Sequence, residues 1–441
     1  MVPPSGGAPA STSHPAVGSD MNGPAVLHAD VAVIGGGVIG HSIAWEARAS
    51  GRSAVLIDDQ PGSGASWAAA GMLAPVSELH YQEESLLELM LESSRLWPDF
   101  AANLVRAGAG DFGYLTTPTL AVGADAADRR ALMDLRAVQE ANGLLVEPLT
   151  VRDARAKEPL LSPAISCALD IPADHQVDPR RLIASLRTVL AGHQPGAGTF
   201  VDGAVNGFAV GSRATGLLWE GDRVRGVELA NGGTVRAGET IVANGLQAAA
   251  LEGLPAGVQL PLRPVFGDIL RLRVPQHLRP LVTSTVRGLV HGVPVYIVPR
   301  QDGTVVIGAT QREDALPEAG DTAAPGTAVS AGGVYQLLRD AQVLVPAVAE
   351  LELIECTARA RPATPDNAPL LGRVSVPDGG HVRGLIIATG FYRHGVLLAP
   401  AAAAICRELL DGRIDPHRAA LDPARFSGRH HETLQPTKET A

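Results

Sequence analysis

The chain has 441 residues, 46% hydrophobic and 19% charged, with 49 glycines, which is too long for one small module and suits one large α/β unit or two domains. Lys and Arg number 36 against 46 Asp and Glu, a formal charge of −10, and this acid excess excludes DNA or tRNA as partner, because such affinity rests on clustered cations. Only Lys157, in an Arg/Glu-rich stretch, and Lys438, near the C-terminus, are lysines, so no buried lysine is on offer for a pyridoxal Schiff base.

Residues 1–28 are rich in Pro, Gly, Ala and Ser and read as a disordered tail, as does the polar stretch 427–441. The first ordered element is an apolar strand, Val31–Ile34, followed by a Gly-rich turn, a helix to about Ser50 and a second apolar strand, Ala54–Ile57. Helical spacing then marks 83–107 and 125–142, with Glu83, Glu84 and Glu88 forming a solvated helix face. From 200 to 310 the pattern turns to strands. Asn231-Gly232-Gly233 punctuates one pair, and Gln301-Asp302-Gly303 joins Tyr296–Val298 to Thr304–Ile307 as a hairpin. A helix near 333–345 precedes Arg359–Gly372, which reads as a proline-rich loop. The chain then closes with a strand, Leu385–Thr389, a turn at Gly390–Gly395 and an apolar helix from Val396 to Leu410. A strand and helix at both ends predicts one domain built from the two ends of the chain, with the middle inserted.

The cysteines Cys167, Cys356 and Cys406 are odd in number and widely spaced, with no CxxC, so neither a disulfide framework nor a metal site is expected. His430 and His431 lack ligand partners at metal-site spacing. Residues 1–47 contain no Lys or Arg, and the apolar run Val396–Cys406 has 11 residues, short of the roughly 20 needed to span a bilayer. The expected protein is cytoplasmic, with no membrane partner.

Gly35-Gly36-Gly37-Val38-Ile39-Gly40 is a G-x-G-x-x-G directly after a strand and at the head of a helix. Gly35 allows the tight turn, Gly37 lets backbone approach a pyrophosphate, and Gly40 permits close helix–strand packing. Asp58, with Asp59 beside it, ends the next strand, where a carboxylate bonds ribose hydroxyls. The small-residue run Gly62–Ala74 lets backbone approach a bulky ring, favouring a flavin over a nicotinamide.

The N-terminal DVAVIGGGVIGHSIAWEA, the AAAGML at 68–73, YIVPR at 296–300, RPATPDNAPLLG at 361–372 and ATGFYRHGVLLAP at 388–400 together resemble FAD-dependent amine oxidases of the D-amino-acid oxidase and sarcosine oxidase group, nearest their glycine-oxidising branch. The resemblance implies an α/β flavoprotein with a Rossmann-like FAD-binding domain (29–108, 170–260 and 370–426) and an inserted, mainly antiparallel β substrate domain (109–169 and 261–369). It implies non-covalent FAD held by Gly35, Gly37, Val38, Ile39, Gly40, Asp58 and Asp59, with Ser66, Ala70, Gly71 and Met72 beside the pyrophosphate and flavin and Val205 near the adenine. Phe391, Tyr392, Arg393, His394, Gly395, Val396 and Leu397 would present backbone amides and a helix N-terminus to the flavin. Arg361 would grip the substrate carboxylate, helped by Tyr296 and Arg393, a role suited to the bidentate guanidinium fork. Hydride removal from a neutral amine then needs no side-chain base.

The implied activity is oxidation of glycine, sarcosine or small D-amino acids to the imino acid, with O2 reduced to hydrogen peroxide and the glycine imine supplied to the thiazole of thiamine. A dehydrogenase passing electrons to another carrier is the alternative, and a homo-oligomer is left open. This sequence departs from the group in three places: no cysteine stands in Ala358–Arg361 for covalent flavin, no lysine is placed to activate oxygen, and Phe266 occupies a position that is usually basic.

Overall fold

A computed structural model describes residues 26–81, 83–192, 208–313, 328–376 and 379–427. Five strands run parallel at the centre of the first of two eight-stranded sheets, in the spatial order His381–Thr389, Thr234–Val242, Val26–Ile34, Ala54–Ile57 and Ala209–Val210. Their aliphatic runs are buried on both faces, as a parallel sheet demands. The first strand starts at Val26, so residues 26–28, expected to lie in the tail, extend the pairing with Thr234–Arg236.

The strands Ala214–Glu220 and Arg223–Leu229 form an antiparallel meander leading into Thr234–Val242. Its last turn is closed by Gly232 at φ +82° and by the Gly233 N–H donating to Asn231 Oδ1 at 3.0 Å. On the other face of the sheet, helix Val38–Ala49 packs on helix Ala399–Leu410, and alanines on both sides allow close approach.

The second sheet runs Glu352–Ala363, Arg263–Arg273, Thr304–Gly308, Val293–Pro299, Thr285–Val290, Thr119–Gly123, Cys167–Ile171 and Glu147–Leu149. All its pairings are antiparallel except Thr285–Val290 with Thr119–Gly123. Helix Ala331–Leu344 seals one face over an aliphatic cluster. The opposite face looks toward the first sheet. Strand Cys167–Ile171 crosses the expected 169/170 boundary and belongs wholly to this second sheet.

Two elements differ from expectation. Arg359–Gly372 is not one loop: Arg359–Ala363 ends an edge strand, and strand Leu370–Ser375 begins after a short turn. Pro362 is tolerated because it lies near the end of an edge strand, opposite Pro264. The last helix begins at Ala399, with Pro400 in its first turn, and not at Val396.

Candidate active site

A cavity of about 920 Å³ runs from Asp58 and Asp59 at one end to Tyr296, Arg361 and Arg393 at the other, lined by both sheets. At the first end, Gly35 has φ +108°, and a Cβ there would lie 2.5 Å from the Ala243 carbonyl oxygen. Gly40 does not reach the cavity. A Cβ on it would meet the Gly35 oxygen at 1.9 Å, so its role is packing. Gly37 is different, because its nearest neighbour would be Ser66 Oγ at 3.4 Å, and it opens on the cavity with Val38 and Ile39. Ser66 Oγ accepts the Val38 N–H at 3.0 Å, and Asp58 accepts the Gly36 N–H at 2.5 Å and the Gln60 N–H at 2.7 Å. Gly37→Ala should therefore leave the apoprotein's thermal unfolding near wild type while weakening FAD about tenfold or more, the effect of roughly 1.4 kcal/mol. Fluorescence titration of apoprotein with FAD measures this, and an unchanged affinity would remove the pyrophosphate from beside Gly37.

His41, in the first turn of that helix, is buried with Nδ1 3.0 Å from the Gly37 oxygen, and burial lowers its pKa to about 4. A folded-state value below the unfolded 6.5 means stability that is present above pH 6.5 and lost as the pH falls toward 4. Asp174, fully buried and raised to about 6, acts in the opposite sense. The expected result is a difference: His41→Gln should lose less stability than wild type between pH 6.5 and 4, as followed by thermal unfolding, and parallel curves would contradict it.

The run Gly62–Ala74 lines the cavity through Gly62 to Ser66, Ala68 to Met72 and Ala74. Gly71 has φ +75°, and a Cβ there would sit 2.0 Å from the Val177 oxygen. The Val177 N–H donates to Gly71 O at 2.8 Å. Arg300, with a side chain only 4% exposed, donates to the carbonyls of Ala70 and Val177 and fixes this bend from the second sheet. No role for Arg300 follows from the sequence reading, although an arginine closing an apolar strand was the available signal.

At the far end, Arg361 lies across Gly267, where a Cβ would be 2.3 Å from its Nη2. The Arg361 guanidinium has no hydrogen-bond or carboxylate partner among the described residues and opens on the cavity. Tyr296 faces Gly308 across the sheet, its hydroxyl 2.5 Å from where a Cβ would be. Burial raises the Tyr296 pKa despite the nearby Arg361 and Arg287, which keeps the phenol protonated.

Arg393 departs from its expected role. It lines the same cavity, yet its guanidinium is taken up by Glu78 at 3.1 Å and by both oxygens of Glu83, and Glu78 also pairs with Arg287. Glu83 belongs to this inner cluster, not to a solvated helix face. Asn367 Nδ2 donates to Glu83 at 2.7 Å and its Oδ1 accepts from Arg263 at 2.6 Å. His394 is buried beside the cluster, and burial, with Arg393, His80 and Arg287, holds its imidazole well below the ordinary value. A cation does stand at Phe266: Arg312, bridged to it beyond strand Thr304–Gly308, lies 6.0 Å over the Phe266 ring and pairs with Asp268 at 3.1 Å.

Phe391 to Leu397 all line the cavity. Gly395 heads no helix, since a short 3-10 turn at Tyr392–His394 and an open turn precede Ala399. The N–H groups of Val396 and Leu397 find no acceptor among the described residues. Val205 lies outside the described residues.

A glycine-lined cradle at a helix N-terminus, a ribose-side carboxylate and unpartnered N–H groups along one elongated cavity fit a flavin dinucleotide, and a free guanidinium at its end fits an amino acid. The fold and site define an FAD-dependent amine oxidoreductase. Residues 30–409 match the family model of the DAO type, FAD dependent oxidoreductase, and the chain belongs to that family. It is 33% identical over 407 residues to glycine oxidase of Geobacillus kaustophilus, covering 91% of this chain and 97% of that protein. The crystal structure of glycine oxidase from that organism superposes with a TM-score of 0.76 at 30% identity, over 90% of this chain and 99% of that one. The bifunctional protein ThiO/ThiG of Trichormus variabilis is 31% identical over 90% of this chain, which spans 55% of that protein. Hydrogen cyanide synthase subunit HcnC of Pseudomonas aeruginosa is 28% identical over 90% of this chain and 95% of its own length. Among the described residues no helix is long and apolar enough to cross a membrane.

Proposed function

We propose that this enzyme oxidises glycine, or sarcosine or a small D-amino acid, to the imino acid and reduces O2 to hydrogen peroxide. The carrying observation is the unpartnered Arg361 guanidinium beside the protonated Tyr296 hydroxyl at the end of the FAD cavity. Arg361 takes the substrate carboxylate as a bidentate pair, and the Tyr296 O–H donates a further hydrogen bond. These two contacts fix the α-carbon toward the ring site. Desolvation in the cavity favours the neutral amine over the ammonium, and its lone pair then forms the C=N bond as hydride leaves. Bound FAD, which Gly35, Gly37, Val38, Ile39 and Asp58 would hold, would supply the hydride acceptor and the route for the electrons to oxygen.

The Arg287–Glu78–Arg393–Glu83 cluster walls the substrate end with groups already paired, which suits a small monocarboxylate. The glycine oxidase and ThiO/ThiG relatives support glycine as substrate and delivery of its imine to thiazole formation in thiamine synthesis. The HcnC relative supports the second reading, in which electrons go to a carrier other than oxygen. Turnover of glycine, sarcosine, D-alanine and D-proline under air with peroxide counted per imine separates the readings. One peroxide per glycine oxidised supports the oxidase, and glycine turnover with an artificial acceptor but no peroxide supports the second reading.

A further inference from the structure

The helix Ala399–Leu410 starts three residues later than its apolar run, and a helix about 300 positions earlier meets it at that point. In a regular helix the Leu397 carbonyl would accept the Ala401 N–H. Here the Ser93 hydroxyl stands in that slot, donating to Leu397 O at 2.6 Å and accepting the Ala401 N–H at 3.2 Å. Trp97, one turn further along helix Glu84–Arg106, donates its indole N–H to the same carbonyl at 2.9 Å. Ser93, Trp97 and Leu397 are all buried, at 0%, 1% and 2% exposure.

A side chain inserted between an i carbonyl and an i+4 amide opens the turn. Immediately before the opened turn stand the Val396 and Leu397 N–H groups, which have no acceptor among the described residues and border the FAD cavity. We infer that Ser93 and Trp97 are positioning residues that aim the Val396 and Leu397 amides at the flavin ring, where these donors stabilise the negative charge of the reduced form. Unsatisfied N–H groups at a helix head are a natural anion seat, and a buried wedge fixes their direction without touching the cofactor. The inference rests on FAD in this cavity and on no particular amine substrate.

The test is the two-electron reduction potential of the FAD-loaded enzyme, set against a reference dye with no amine present. Ser93→Ala and Trp97→Phe should each lower it by about 30 mV, equivalent to a tenfold loss in stabilisation of the reduced form. Ser93→Thr keeps the hydroxyl and should stay within about 10 mV of wild type, which corresponds to roughly a twofold change. Trp97→Phe keeps an aromatic ring against Phe100 and Tyr114 and loses the N–H, so it decides the matter if Ser93→Ala does not fold. Lower thermal stability with an unmoved potential in the folded variants would show a purely structural role and overturn the inference. Because no substrate enters, this outcome is independent of whether glycine is oxidised.

Discussion

Arg361→Ala is expected to raise the KM for glycine by roughly 30-fold to several thousand-fold while the purified protein stays yellow with full FAD content. The range follows from the roughly 2–5 kcal/mol lost when one partner of a desolvated, hydrogen-bonded charge pair is truncated, at about tenfold per 1.4 kcal/mol. The size of the effect depends on Arg361 being uncommitted: no protein carboxylate or carbonyl competes for it among the described residues, and it lies flat over Gly267 at the end of the cavity. Arg361→Lys should fall between, because an ammonium keeps the charge and loses the fork. Steady-state kinetics with FAD quantified by absorbance checks both, and an unchanged KM in Arg361→Ala would move the carboxylate site elsewhere.

Glu78→Gln is expected to give the largest stability loss among single polar substitutions at the cavity wall. Glu78 joins Arg287 and Arg393, and all three side chains are 11–17% exposed. Removing its charge leaves Arg287 with no carboxylate partner among the described residues and Arg393 with Glu83, and burial already lowers the Arg287 pKa to about 10. Breaking a buried pair by removing one partner costs about 3–5 kcal/mol, which at about 1 °C per kcal/mol for a chain of this length lowers the Tm by roughly 3–5 °C. The control is Glu92→Gln, whose pair with Arg418 at 3.0 Å is 23–32% exposed and should shift the Tm by about 1 °C or less. Equal shifts in the two variants would show that the inner cluster contributes no more than a surface pair.

The dinucleotide end was legible because its chemistry is local: strand, glycine turn, helix and acid all fall within Val31 to Asp58, and backbone sterics dictate Gly35 and Gly40. The hairpin through Asp302-Gly303 was legible for the same reason. Errors arose where partners are distant in sequence. Arg393 reads as a free guanidinium until Glu78 and Glu83, more than 300 residues away, are folded onto it. The bond that Ser93 makes in place of the Ala401-to-Leu397 hydrogen bond, just ahead of the helix at Ala399, is one that no local pattern near Val396 reveals. Arg359–Ala363 read as loop because Pro362 suppresses the strand signal, although an edge position accommodates it. Arg361 itself carries no marker beyond its motif; its significance lies in the absence of a described partner, which only the folded arrangement displays.

The most direct test of the account is anaerobic titration of the purified enzyme with glycine, followed by admission of air. The account predicts that glycine bleaches the flavin band near about 450 nm, and that air restores the band with formation of hydrogen peroxide. A flavin that glycine leaves oxidised, or that stays reduced in air once bleached, would contradict it.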